Sequence, residues 1–155
     1  MTSVIVGNEA LLRKEVTAAQ LVKLIQTVKS QIKQPVTYAD VWEFWLQHPE
    51  IAPAVDFLTI HLLPYWEDDP SGIDQALKHV GDVRQTFGNK FAPKDVLIGE
   101  TGWPSEGRQR ETAQPSRVNE AKFIRGFVTM AEQNGWKYNQ IEAIDKPWKR
   151  GNEGA

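Results

Sequence analysis

The chain has 155 residues, 41% of them hydrophobic and 25% charged, with a formal net charge of −2. That describes one domain large enough to bury a core, and it excludes the basic footprint of a nucleic-acid binder. There are no cysteines, which rules out disulfides and thiolate metal sites but leaves the compartment open.

Met1 leads straight into a strand, Ser3 to Gly7, so no signal peptide is expected at the start. Asn8 and Glu9 follow it directly. Thr17-Ala-Ala-Gln20 forms a capping box, and Leu21, Leu24, Ile25, Val28 and Ile32 then share one helical face. Pro35 stops that helix, and Gln34 to Tyr38 reads as the second strand. Asp40 with Glu43 is expected to cap a short helix, "VWEFWLQH", closed by Pro49. Val55 to Leu62 is the third strand, running into "LLPYW". Ser71 with Asp74 predicts the cap of a helix whose face is Ile73, Ala76, Leu77, Val80, Val83 and Phe87, with Gly88 as a left-handed stop. Asp95 to Gly99 is a strand, followed at once by Glu100. Ser116 caps a long helix with Ile124, Phe127, Val128 and Ala131 inward and Gly135 after it. Tyr138 to Ile144 is the last strand. No apolar run approaches the ~20 residues that span a bilayer.

Apolar strands alternating with amphipathic helices imply an α/β fold with a parallel sheet covered by helices. Asn8, Glu9, Tyr38, Pro64-Tyr65-Trp66, Glu100 and Trp148 all fall at or beyond carboxyl ends of strands. In a parallel sheet those ends form one edge, where α/β enzymes bind ligands. Six tryptophans suit either core packing or flat platforms for sugar rings.

Two glutamates at strand ends match a specific chemical need. Glycoside cleavage takes a proton donor for the leaving oxygen and a second carboxylate at the anomeric carbon. The donor's site must disfavour charge, and the second group must stay ionised. Either glutamate alone reads equally well as a helix N-terminal carboxylate stabilised by the helix dipole. His61 reads either as an orienting partner for a carboxylate or as a hydrogen-bonded structural residue. His48 and His79 read as solvated helix residues, and Glu67-Asp68-Asp69 as a solvated loop. No His/Asp/Glu spacing suggests a metal site, and no cofactor is implied.

"VGNE" (residues 6–9) and "IGETGWPS" (residues 98–105) resemble the acid and nucleophile signatures of glycoside hydrolase family 17, the β-1,3-glucanase family, whose fold is an eight-stranded (β/α) barrel. "IEAIDKPWKR" (residues 141–150) resembles that family's eighth-strand segment, and the likeness looks closest to the bacterial envelope members. The resemblance implies that Glu9 is the general acid/base and Glu100 the nucleophile. It further implies that Asn8 bonds the sugar 2-hydroxyl, Trp103 stacks on a sugar, Trp66 forms a subsite platform, and Lys149 and Glu153 touch substrate. Leu63 stands where plant members carry a tyrosine, so Tyr38 or Tyr65 would supply the hydroxyl beside the nucleophile.

A full barrel takes ~250 residues. On the resemblance, residues 1–155 are a single C-terminal portion holding the fourth to eighth strands of a partial barrel, an open sheet lacking the first three strands. The implied function is a retaining β-1,3-glucanase acting on β-glucan oligo- or polysaccharide. The alternatives are a glucanosyltransferase or branching module of a β-glucan synthase, and a non-catalytic remnant. Bacterial relatives sit beside membrane glycosyltransferase modules, which implies a periplasmic or envelope location with anchoring through other regions. The chain alone is expected to be inactive.

Overall fold

The computed structural model describes residues 2–142 together with 144, 146 and 148. Five parallel strands form one sheet in the order β1-β2-β3-β4-β5: Val4–Asn8, Val36–Val41, Leu58–Leu62, Val96–Thr101 and Lys137–Gln140. Strand order follows chain order because each crossover carries helical structure of its own: α1 (Ala18–Lys29), α2 (Trp42–Gln47) with a 3-10 helix (Pro49–Ala54), α3 (Ile73–Lys90) and α4 (Arg117–Gln133). The expected open α/β sheet is therefore present. The chain packs as two compact units, Met1–His61 with Phe87–Gly99, and Leu62–Thr86 with Glu100–Ala155.

In the first unit, β1 pairs with β2 through Val4 with Val36 and Ile5 with Thr37. The register then slips before Asn8 meets Ala39. The predicted capping box opens α1: the Thr17 side chain accepts from the Gln20 amide, and the Gln20 side chain reaches back to the Thr17 amide. Leu21 and Ile25 are buried, each stabilising by roughly 1.5–3 kcal/mol. Leu24, expected on that face, is 50% exposed. Trp45 is buried, its indole N–H donating to the Thr59 carbonyl at 2.9 Å.

In the second unit, α4 buries Phe123, Phe127 and Ala131, and the predicted Ser116 cap accepts from the Asn119 amide at 3.1 Å. Gly126 makes room for Leu77 of α3, whose Cδ1 lies 2.5 Å from where a Cβ would stand. Gly135 ends α4 at φ 63°, as expected.

Several boundaries differ from the sequence reading. Asp40 is a strand residue; α2 starts at Trp42 with no side-chain cap. Residues 49–54 are 3-10 helix, so β3 starts only at Leu58. Gly72, not Ser71, precedes α3, and its N–H donates to Thr112 Oγ1 at 3.0 Å. Gly88 lies inside α3, because the helix runs on to Lys90. Strand β4 carries through Glu100 to Thr101, and β5 is shorter than expected.

Candidate active site

Strand β1 ends in an unusual backbone. Gly7 sits at φ 86° and Glu9 at φ 52°, with the register slip between them. A glutamate in the left-handed region costs of order 1–3 kcal/mol and persists only where its surroundings fix it. Here the Glu9 amide donates to the Ala39 carbonyl at 2.8 Å, and the Glu9 carbonyl accepts from the Arg13 amide at 3.0 Å. The Glu9 side chain is thereby turned onto His61, a buried residue of β3. Glu9 Oε1 and His61 Nδ1 are 2.8 Å apart. That hydrogen bond is the main force pulling the Glu9 carboxyl below its usual range; burial opposes it, and the His61 and Arg13 charges add to it. An ionised carboxylate only accepts, so Nδ1 carries the proton and donates. The expectation that Glu9 sits where charge is disfavoured is corrected: in the free chain its partners favour the charge.

Behind Glu9 lies a second polar pair. Tyr38 and Asp40 are two apart on β2 and so share one face. The Tyr38 hydroxyl donates to Asp40 Oδ2 and accepts from the Leu11 amide at 2.9 Å. Asp40 Oδ1 accepts from the Val41 amide at 2.8 Å. Asp40 is 0% exposed. Burial pushes its carboxyl up against the opposing hydrogen bonds, and burial, then the Asp40 contact, also pushes the Tyr38 phenol up.

Glu100 follows Gly99, and that glycine has a packing reason. A Cβ on Gly99 would stand 2.5 Å from Thr59 Cγ2 and 3.1 Å from His61 Cδ2. The two glycines that precede the glutamates thus serve different ends: Gly7 a positive φ, Gly99 a close approach to the His61 ring. Neither glutamate begins a helix, Glu9 lying in a turn after β1 and Glu100 within β4, so the helix-dipole reading of them does not hold.

In the second unit, Tyr65 is buried; its hydroxyl donates to the Arg108 carbonyl at 2.6 Å, and the Arg110 guanidinium lies over its ring and bonds its carbonyl. Trp66 meets Tyr65 edge-on, ring centroids 5.0 Å apart, and is half-buried. Trp103 is 3% exposed, with its ring against Phe123 at 5.8 Å and Tyr65 at 5.9 Å, and its N–H on the Gln114 carbonyl. Glu67, expected in solvent, folds back: its carboxylate accepts from the Leu63 amide at 3.1 Å and meets His79 Nε2 at 2.8 Å.

Of the residues singled out from sequence, the first unit brings together Glu9, Tyr38 and His61 around the exposed Asn8. The second holds Tyr65, Trp66 and Trp103 in one aromatic cluster. The Tyr38 and Tyr65 hydroxyls are both engaged by protein groups, and Trp103 presents no open face. Lys149 and Glu153 lie outside the described residues. Sequence reasoning missed the buried contact of Asp40 with Tyr38, because an Asp before "VWEFW" looks like a cap. Its two-residue spacing from Tyr38 on a strand was the available signal.

Comparison with known proteins supports the resemblance. Crystal structures of the glycoside hydrolase family 17 β-1,3-glucanosyltransferase of Rhizomucor miehei align with a TM-score of 0.89 at 29% identity, over 99% of this chain and 57% of that one. An active-site mutant of that enzyme in complex with laminaritriose aligns at 0.88. The glucan 1,3-β-glucosidase of Saccharomyces cerevisiae is 28% identical over 97% of this chain and 54% of its own length. The probable glucan endo-1,3-β-glucosidase btgC of Aspergillus fumigatus is 32% identical over 94% of this chain and 24% of its own. The chain thus spans from a quarter to little more than half of these relatives. They are fungal, and none supports the bacterial envelope type expected from sequence. The model of the BtgE/BtgC glycoside hydrolase domain matches residues 1–155, and the chain belongs to that family.

Proposed function

We propose that this chain carries the catalytic glutamates of a retaining glycosidase acting on β-1,3-glucan, with Glu9 as acid/base and Glu100 as nucleophile. The observation that carries the reading is Glu9 itself: a carboxylate at a strand end, on a left-handed backbone, held by a buried histidine. Its position in a matching family domain supports the same assignment. In the first step the Glu100 carboxylate attacks the anomeric carbon, and the glycosidic C–O bond breaks as Glu9 protonates the leaving oxygen. In the second, Glu9 takes a proton from water or a sugar hydroxyl, whose oxygen displaces Glu100 with net retention. The roles require the two carboxyl groups to stand ~5 Å apart. Asn8, exposed beside Glu9, suits a sugar hydroxyl, and Trp66 suits a subsite platform; Lys149 remains a proposed contact from the resemblance.

A second reading, transfer of the glucosyl group to another sugar, is favoured by the structural likeness to a β-1,3-glucanosyltransferase. Hydrolysis and transfer share both steps and differ only in the acceptor. Products longer than a laminari-oligosaccharide donor would establish transfer. A polymeric glucan substrate places the reaction outside the cell, at the wall or envelope. None of the helices among the described residues is long and apolar enough to cross a membrane.

The test is a pair of variants of the intact protein. Glu100→Gln should abolish turnover on all substrates. Glu9→Gln should lower kcat/KM on laminari-oligosaccharides by about 10²–10⁴-fold yet spare an activated aryl β-glucoside, whose leaving group needs no proton. Equal losses on both substrates would remove the assignment, activity unaffected by either change would put catalysis on other residues, and no turnover in the wild-type protein would leave the non-catalytic alternative.

A further inference from the structure

We propose that Tyr38 and Asp40 are positioning residues for the acid/base: a buried phenol–carboxyl pair that grips the amides of the turn after Glu9 and so fixes where the Glu9 carboxyl points. The proposal rests on the reading of Glu9 as acid/base.

The geometry is directional. The turn after β1 closes through Arg13 N–H to Glu9 O, Lys14 N–H to Leu11 O and Glu15 N–H to Ala10 O, all at 2.9–3.0 Å. Those bonds leave the amide of Leu11 free to reach β2. There the Leu11 amide donates to the Tyr38 hydroxyl at 2.9 Å. The Ala10 backbone also draws the Tyr38 phenol down, and the Leu12 backbone draws the Asp40 carboxyl down, each against the larger upward push of burial. The Tyr38 hydroxyl donates its hydrogen bond to Asp40, whose other oxygen accepts from the Val41 amide. The phenol, backed by the carboxyl, thus holds an amide two residues after a glutamate held at φ 52°.

A merely structural pair would be a poor choice here. Asp40 is wholly buried, and a buried carboxyl is costly unless several donors reach it; apolar side chains of equal volume would stabilise at least as well. What the polar pair adds is orientation. The Leu11 amide on a phenol oxygen that Asp40 itself fixes holds the turn in one conformation, and the left-handed Glu9 backbone persists only where its surroundings determine it. A displacement of about 1 Å at the proton donor costs on the order of 100-fold in rate.

The experiment uses Tyr38→Phe and Asp40→Asn in the intact protein, with Glu9→Gln as the reference. Tyr38→Phe keeps the ring and removes the acceptor for the Leu11 amide. On laminari-oligosaccharides, which need the acid, kcat/KM should fall about 10–100-fold in each variant. On an activated aryl β-glucoside, where the first step needs no acid, kcat/KM should fall less than about 3-fold, and added azide should restore the base-dependent second step. A purely structural role would lower both substrates alike, and that result overturns the proposal. If Glu9→Gln itself shows no leaving-group selectivity, the acid/base reading fails; if it does and the two variants do not, the clamp fails. One measurement needs no variant: in the wild-type protein the Leu11 and Leu12 amides should exchange hydrogen as slowly as core-strand amides. Exchange at the rate of an exposed loop overturns the proposal even if neither variant folds.

Discussion

Glu9 is a carboxylate whose ordinary titration is displaced by one buried neighbour. The His61 hydrogen bond is the largest influence and lowers it, ahead of burial, which raises it. Replacing His61 by Asn exchanges the imidazole for a shorter neutral amide that carries no charge, so the charged form loses support and the Glu9 pKa rises. A higher pKa keeps the acid protonated to higher pH. The alkaline limb of the kcat/KM profile on laminari-oligosaccharides should therefore move up in His61→Asn; a limb that stays put or moves down would show that His61 does not set the acid. The same linkage applies to stability. A carboxyl depressed in the folded state stabilises above its unfolded value, about 4.3 for Glu, and that contribution is lost as pH falls through the folded pKa. Wild-type protein should then lose Tm over that acid range, and His61→Asn should lose less over the same range. Glu9 and Glu100 were legible in sequence because each ends an apolar strand. Asp40 was not, since the same residue before a helix caps it in most contexts and only the strand pairing with β1 shows that it points at residues 10–12.

At the scale of elements, two substitutions separate packing from capping. Strand β4 passes β3 so closely at Gly99 that a methyl group there would stand 2.5 Å from Thr59 Cγ2 and 3.1 Å from the His61 ring. Gly99→Ala must move the strand or the histidine, at a cost of about 1–3 kcal/mol, and it should also shift the pH profile in the direction of His61→Asn. Thr17→Ala removes the α1 capping box, at a cost of about 1 kcal/mol, with kcat/KM unchanged because the cap is exposed and its bonds stay within residues 17–20. Thermal melts and pH–rate profiles on the two variants check both halves. A Gly99→Ala protein with wild-type Tm and pH profile would show that the strand yields freely. The capping box could be read from Thr17 and Gln20 alone, since it is made within four residues. Gly99 could not be explained that way, because its reason is a side chain on another strand.

For the molecule as a whole, the sheet has β1 at one end and β5 at the other, and Ile5 on β1 is 49% exposed. A parallel strand buried on both faces elsewhere in its class is here an unpaired edge, which invites pairing with other chains. The relatives are also longer than this chain by nearly twofold or more. Residues 1–155 expressed alone should therefore self-associate with rising concentration and turn over glucan at least 100-fold more slowly than the intact protein, as the positioning of substrate by further walls is lost. Light scattering beside product assays tests this, and a monomer with the full rate would contradict it.

The sequence by itself determined the alternation of strands and helices, the capped starts of α1 and α4 and the family, and it marked the two glutamates as candidates. Each of these is written in periodicity or in a few adjacent residues. Tertiary structure alone decided what the neighbours do. It joined Glu9 to His61 across 52 positions, placed Tyr38 beneath Leu11, closed Trp103 and Tyr65 into an aromatic cluster, and drew Glu67 onto His79. It also reversed the expected sign of the Glu9 shift. The physical reason is common to all: a side chain's partners and desolvation depend on which strands lie side by side, and that adjacency follows from the sheet as a whole, not from any local run of residues.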